Sequence, residues 1–413
     1  MDPSILTRPL RPLPEAPRGR DEALDGLRAL CALTVFFGHI LARGALGPDL
    51  APVLGWERLN FGFAGVLMFF VISGYAIGLS TRAPANGAEI KVYLGRRFWR
   101  LVPVNTAAVL LSWLVLPTLA WDAVAGNLFF LQNREVSYFG WAVPLLPVNT
   151  NLWTLNFEVI YYLGFIALWR WMWRAGTVAA GVIAVVLAGV MFPGFPPAVA
   201  RYACGALYWL AGLWVAWQTP APAGEERTRW PSALLAAVAL WSAAPLRGVF
   251  YVLGWDAGLW PTPVSPHRLD FLAGCIWVLL AVTGRGLAGQ RRLAFFCLGW
   301  PAAYLLVRVA AGPVGDGEIF AGTTLALAAV LWWWRPAPVL LRRLAPVGAI
   351  SYGIYALGSP FQFGLRRHWP LAPGSLPGLL SRVAVLIVLT FGLAWLLERQ
   401  LQPWLRRRFV ARG

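Results

Sequence analysis

Arg28 and His39 stand eleven residues apart in an otherwise apolar stretch, residues 24–39, that also carries Asp25. An ionisable side chain at membrane depth is costly and usually marks a functional site. Eleven residues are close to three turns of an α-helix, so the two side chains share a face about 16 Å apart along its axis. Such a pair cannot grip one atom, but it can engage the two ends of one long molecule. Asp25, one turn before Arg28, joins the same face. His39 is a candidate general base; the structural alternative is a histidine hydrogen-bonded to a neighbouring helix.

Three more polar clusters break the apolar background. Arg97 and Arg100, three residues apart, face the same way on a helix and can grip phosphates through bidentate hydrogen bonds. Anchoring to lipid headgroups is the plainer reading of two such arginines. Glu158 closes the segment Asn151-Leu152-Trp153-Thr154-Leu155-Asn156-Phe157-Glu158, six residues into an apolar span. A buried carboxylate needs a partner. His39 is a candidate, at a similar depth if the spans alternate, and a Glu–His pair would orient the imidazole. A structural contact of Glu158 with arginine or tryptophan is the alternative. Ser73, in Phe70-Val71-Ile72-Ser73-Gly74-Tyr75, has no acid–base partner in its own segment; small-residue helix packing explains it.

The elements that must position these residues follow from composition. The 413 residues are 59% hydrophobic and 13% charged, about half the charge of a soluble domain. About twelve apolar segments approach the 20 or so residues that cross a bilayer, at 24–42, 60–80, 102–120, 152–172, 176–192, 199–217, 231–246, 268–283, 293–311, 318–334, 347–365 and 380–397. The expected fold is an all-α polytopic membrane bundle of 10–12 helices. Arg and Lys concentrate in alternate loops (Arg82, Lys91, Arg96, Arg97 and Arg100; Arg170 and Arg174; Arg285, Arg291 and Arg292; Arg335, Arg342 and Arg343) and in the tail Arg406-Arg407-Arg408. This bias places both termini in the cytoplasm. Arg247, Arg268, Arg366 and Arg367 are exceptions on the outer side. The net charge of +17 is therefore read as membrane anchoring rather than nucleic-acid binding. Many of the 24 tryptophans fall near span ends, as an aromatic belt does. The four cysteines are isolated in apolar stretches and lack metal-ligand spacing, so no metal site is expected. Residues 1–20, rich in Pro and Arg without an apolar core, read as a flexible cytoplasmic tail; 21–400 form the membrane domain and 401–413 a basic cytoplasmic tail.

Six landmarks occur in order: LDGLRALCALTVFFGH, GVLMFFVISGY, YLGRRFWRLVP, LWTLNFEVIYY, GAISYGIYALGSP and LERQLQPWLRR. Together they resemble the acyltransferase-3 family of integral membrane acyltransferases, over nearly the whole chain. The resemblance implies an enzyme that moves an acyl group, commonly acetyl, from cytoplasmic acyl-CoA to a sugar hydroxyl on the extracytoplasmic side of a bacterial inner membrane. Its Arg-x10-His motif falls on Arg28 and His39, its Arg-x-x-Arg motif on Arg97 and Arg100, and its acidic residue on Glu158. Asp25, Ser73, Tyr75, Trp153, Asn156 and Tyr352, inside the landmarks, are expected in support. One departure stands out: many relatives carry a histidine before the proline of the late Ser-Tyr-x-x-Tyr segment, and here Gly358 occupies that place.

The expected mechanism docks acyl-CoA phosphates on Arg97 and Arg100, with Arg28, and brings the thioester near His39. His39, assisted by Glu158, then acts as base or as transient acyl carrier; both versions stay open. Acyl-CoA is a co-substrate and no cofactor is expected to be bound. The partners are the bilayer, acyl-CoA and a glycan acceptor, with no nucleic acid. A His–Glu–Arg set inside a membrane would equally serve a proton-coupled transporter or flippase, though no internal repeat supports one. Gly358 leaves room for a catalytically inactive scaffold.

Overall fold

In the computed structural model the described residues are 21–42, 61–81, 86–133, 142–170, 175–218, 271–311, 337–371 and 375–410, with isolated positions at 269, 322, 325, 326 and 329. They are helical almost throughout. The helices are α1 Glu22–Ala42, α2 Phe61–Ser80, α3 Gly87–Val115, α4 Trp121–Leu128, α5 Trp153–Arg170, α6 Ala175–Met191, α7 Pro197–Gln218, α8 Phe271–Thr283, α9 Leu287–Ala311, α10 Ala337–Gly348, α11 Ser351–His368, α12 Leu376–Trp395 and α13 Gln402–Val410. A 3-10 turn, Thr150–Leu152, precedes α5, and a π-helical segment, Leu396–Leu401, joins α12 to α13. Among the described residues six helical stretches are long and apolar enough to cross a membrane: 22–40, 62–80, 87–115, 150–170, 197–218 and 376–408. The chain is a multi-pass, all-α membrane bundle. The expected spans at 231–246 and, but for isolated positions, 318–334 lie outside the described residues, as do 1–20 and 411–413.

Helix starts follow local chemistry. The Asp21 carboxylate accepts from Ala23 N and Leu24 N, at 3.1 and 3.2 Å, and so caps α1. Asn86 and Glu89 form a reciprocal capping box, each side chain accepting the other's backbone N–H at 2.9 Å. That box starts α3 fifteen residues before the expected boundary at 102, because the arginine-rich stretch, though not apolar, is one continuous helix with the span. Within the basic segment 401–413, helix continues to Val410.

The helices group into two compact units. One comprises the start of α1, most of α2, the end of α5, α6–α9 and the first part of α10. Within it α2 and α7 cross through glycines: a Cβ on Gly74 would collide with Trp209 O, and one on Gly212 with Val71 O. Such crossings let backbones approach without a hydrophobic drive between helices. α6 packs on α7 and α8 on α9. The turn between α8 and α9 puts Gly284 and Gly286 at φ 65° and 59°, which glycine tolerates without steric cost.

The other unit comprises the rest of α1, the start of α2, α3–α5 and α11–α13. α11 lies at its centre, packed on α12, α3 and the 3-10 turn. Most of α11, from Ser351 to Pro360, is buried. Its register against the start of α5 is set by side chains. Asn149 Nδ2 donates to Ala356 O at 2.9 Å and Asn151 Nδ2 to Ser359 Oγ at 2.9 Å. Tyr355 donates to Asn151 O at 2.8 Å while accepting from Thr154 Oγ1 at 2.9 Å. Amides also hold the segment leading into α5: Asn127 Nδ2 donates to Pro144 O at 3.0 Å and Gln132 Nε2 to Leu152 O at 2.8 Å.

Candidate active site

The candidate residues of this second unit form two clusters, placed along α11 about 10 Å apart, seven residues at 1.5 Å each. Positive-inside orientation makes one inner and the other outer.

The inner cluster gathers around Arg97 and Arg100 of α3. The Arg97 guanidinium stacks over the rings of Tyr93 and Tyr162, 5.3 and 5.0 Å from their centroids. This cation–π sandwich is worth more when desolvated, and Arg97 Nε is buried within it. Tyr93 donates to Tyr162 O at 3.3 Å, closing the sandwich. Tyr162 in turn donates a hydrogen bond to Glu158 Oε1, one turn earlier on α5. Arg100 lies in the field of Tyr162, Glu158, Glu398 and Tyr352. Glu398, on the π segment, accepts Gly353 N–H at 2.7 Å. Tyr352 donates to Leu101 O at 3.4 Å and Gln402 Nε2 to Arg100 O at 3.0 Å, which fixes this stretch of α3 from both sides. π-helical segments occur frequently at functional sites.

The outer cluster surrounds a small cleft lined by His39, Val35, Phe36 and Ile40 of α1, Asn151, Leu386 of α12, and Ile354, Tyr355, Gly358, Ser359 and Gln362 of α11. His39 is half-buried with its Nδ1 atom enclosed. Gln362 Nε2 donates to His39 O at 3.2 Å and ties the last turn of α1 to α11. Gly358, where the resemblance places a histidine, meets the Phe36 ring: a Cβ there would lie 2.9 Å from Phe36 Cδ2. Phe36 is buried and stands edge-on to Phe391, 5.9 Å between centroids. In this chain the phenyl ring takes the space that a side chain at 358 would need.

The sequence-derived set is thus divided. His39 lines the outer cavity; Arg97, Arg100, Glu158 and Tyr352 build the inner cluster. Glu158 is not among the cavity-lining residues. Tyr162 donates to it, and Arg100 and the cavity-wall residue Tyr355 both lie within its electrostatic reach. Arg28 is half-buried, three turns inward from His39 on α1. Asp25, Ser73 and Tyr75 belong to the other unit. There Asp25 is 4% exposed, Ser73 adjoins the Gly74 crossing, and Tyr75 carries the buried Arg285 guanidinium 5.5 Å from its ring centroid. Trp153 stands edge-on to Phe157 at 5.0 Å. Asn156 donates to Phe130 O at 2.5 Å and holds Phe130 at φ 61°, a backbone conformation that costs a bulky residue. Sequence reasoning did not single out Glu398, Tyr162, Ser359 or Gln362. The one legible signal was Glu398, an ionisable residue at the end of a long apolar span. All four cysteines are buried thiols.

Known proteins bear on the two clusters. The family model described as "Acyltransferase domain", acyltransferase 3, matches residues 21–399. The peptidoglycan O-acetyltransferase OatA of Listeria monocytogenes is 32% identical over 160 residues, 34% of this chain and 23% of that protein. The exopolysaccharide production protein ExoZ of Rhizobium meliloti is 30% identical over 174 residues, 38% of this chain and 54% of that protein. The chain therefore spans about a quarter to a half of the length of these curated relatives. No solved structure matches it. With the family model covering both clusters from α1 to the π segment, the chain belongs to the acyltransferase-3 family of membrane acyltransferases.

Proposed function

We propose that this chain is a membrane O-acyltransferase that moves an acyl group, acetyl in the first instance, from cytoplasmic acyl-CoA to a hydroxyl of an extracytoplasmic polysaccharide. The observation that carries the reading is the stacking of a cationic inner cluster beneath an outer cavity walled by His39, within one unit of the fold. The relatives' names, peptidoglycan O-acetyltransferase and exopolysaccharide production protein, support a cell-envelope polysaccharide as acceptor.

In this reading the acyl-CoA phosphates approach from the cytoplasm toward Arg97, Arg100 and Arg28. The extended pantetheine arm runs outward, a reach matched by the roughly 16 Å rise from Arg28 to His39. The thioester carbonyl then lies in the outer cavity. His39 takes the proton of the acceptor hydroxyl, the oxygen attacks the carbonyl carbon, the C–S bond breaks, and the CoA thiolate leaves and is reprotonated. Ser359 Oγ, accepting from Asn151, keeps its own O–H to donate to the developing oxyanion. A version in which His39 carries the acyl group uses the same placement. Glu158 acts on Arg100 and Tyr162, holding the inner arginines in place.

The test is turnover of radiolabelled acetyl-CoA by purified protein in nanodiscs, wild type against His39→Ala. Loss of a general base lowers the rate about 10²- to 10⁴-fold. A folded His39→Ala protein that turns over acetyl-CoA at the wild-type rate would sink the reading. Inactivity of the wild type toward a panel of acyl-CoAs would move a transporter or scaffold role ahead.

A further inference from the structure

Tyr93 precedes Arg97 by one helical turn on α3, so both lie on the face that packs against α5. Tyr93 is buried and backed by Phe165 of α5, 5.7 Å between centroids. Tyr162, also buried, meets the Tyr93 ring edge-on, 6.3 Å between centroids and 79° between planes. Arg97 Cζ lies 5.3 Å from the Tyr93 centroid and 5.0 Å from the Tyr162 centroid, so the guanidinium rests in the corner that the two rings make. A single ring steadies a guanidinium and leaves it free to turn against the ring face. A second ring at nearly a right angle to the first removes that freedom. The corner is itself tied down: Tyr93 donates to Tyr162 O at 3.3 Å, and Tyr162 donates to Glu158 Oε1.

Anchoring to the membrane surface asks for none of this. An anchoring arginine lays its stem along apolar surface and keeps its head in water. The neighbouring Arg96 is exposed, as such a residue is. Arg97 is half-buried with Nε enclosed. Ring contact spends none of the five N–H groups of a guanidinium. Even one given to the Tyr93 hydroxyl leaves a pair for a bidentate bond to phosphate. A long side chain ordinarily loses rotamer freedom when its ligand binds. Here the rings order it beforehand.

We propose that Tyr93 and Tyr162 are positioning residues, which orient the Arg97 guanidinium so that its N–H edge takes a phosphate of acyl-CoA bidentately. The inference rests on the reading of the inner cluster as the donor site. A lipid headgroup phosphate presents the same chemistry, and the experiment separates the two.

Turnover is measured in phosphatidylcholine nanodiscs with two donors, acetyl-CoA and S-acetylpantetheine, which has the same thioester and arm without the phosphates. The readout is the ratio of their kcat/KM values, because damage to the fold lowers both donors alike. The wild type should favour acetyl-CoA about tenfold or more, as befits charged hydrogen bonds. Tyr93→Leu should reduce that preference about tenfold, through KM rather than kcat. Tyr162→Leu is the second variant, with the same expectation. Tyr93→Phe keeps the ring and should restore most of the preference. Arg97→Lys, a point charge without the fork, should lose it too, and Tyr93→Leu added to Arg97→Lys should then change the ratio less than threefold. A preference that survives both leucine variants, or an equal fall for both donors, overturns the proposal. So does a preference that survives while phosphatidylglycerol added to the nanodiscs is no longer retained, which would make the corner a lipid anchor. A wild type that uses both donors equally overturns it and leaves the catalytic reading standing. A wild type that uses neither donor overturns the catalytic reading, and the proposal with it.

Discussion

Gly353→Ala is the substitution whose cost the geometry defines best. Gly353 faces α12 and the π segment. A Cβ there would lie 2.6 Å from Ala394 Cβ, 2.8 Å from Glu398 Oε2 and 2.9 Å from Ala394 Cα. All three are closer than real Cβ atoms approach, and two belong to a residue with no side-chain freedom to yield. The backbone of α12 must therefore retreat from α11, at an overpacking cost of about 1–3 kcal/mol. Its retreat lengthens the 2.7 Å bond from Gly353 N–H to the Glu398 carboxylate, and a hydrogen bond to a charged group is worth about 1.5–3 kcal/mol. Alanine's better helix propensity returns about 1 kcal/mol. The net is a loss of about 1.5–5 kcal/mol. Gly392→Ala on α12 is the internal control: its Cβ meets nothing within 4 Å, so propensity alone should act, stabilising by about 0.5–1 kcal/mol. Unfolding by sodium dodecyl sulfate titration in mixed micelles, followed by circular dichroism, compares both with the wild type. Two variants of equal stability would refute the close approach of α11 and α12.

Two further outcomes follow from the outer cluster. Gly358→His, which restores the residue common among relatives, should destabilise this chain by about 1–3 kcal/mol because its Cβ meets the Phe36 ring. Phe36→Ala alone costs about 3–5 kcal/mol; in that background Gly358→His should cost less than half of what it costs in the wild type, and a double variant no better than the sum of its parts would count against the contact. Tyr355→Phe removes the hydroxyl shared by Asn151 O and Thr154 Oγ1. It should cost about 1–2 kcal/mol and raise hydrogen exchange at the start of α5, so unchanged exchange there would contradict the bond network.

What the sequence made legible was what one helix decides. Apolar length located α1, α2, α5, α7 and α12, and helical spacing put Arg28 and His39 on one face, because neither inference needs a second helix. The start of α3 was missed for a local reason: its signal is the Asn86–Glu89 capping box, not an apolar boundary. The sites themselves are non-local. Asn151 meets Ser359 across 208 residues of chain, and Tyr352 meets Leu101 across 251. Which carboxylate faces Arg100 depends on the rotation of α5 and of the π segment, which no period in one sequence reports. Gly358 was visible as a departure, but the reason for it, Phe36, lies on another helix.

The π segment sets a phase. Upstream of it Ala394 abuts Gly353 of α11; downstream Gln402 reaches the Arg100 carbonyl of α3; Glu398 works between them. In unbroken α-helix the eight residues from Ala394 to Gln402 would overshoot two full turns by about 80°. The wider π turns take back that overshoot, so one continuous helical stretch keeps both appointments. The segment behaves like a vernier in the chain: adding or removing a single residue there would leave α12 and α13 each intact, yet turn one anchor away from its mate.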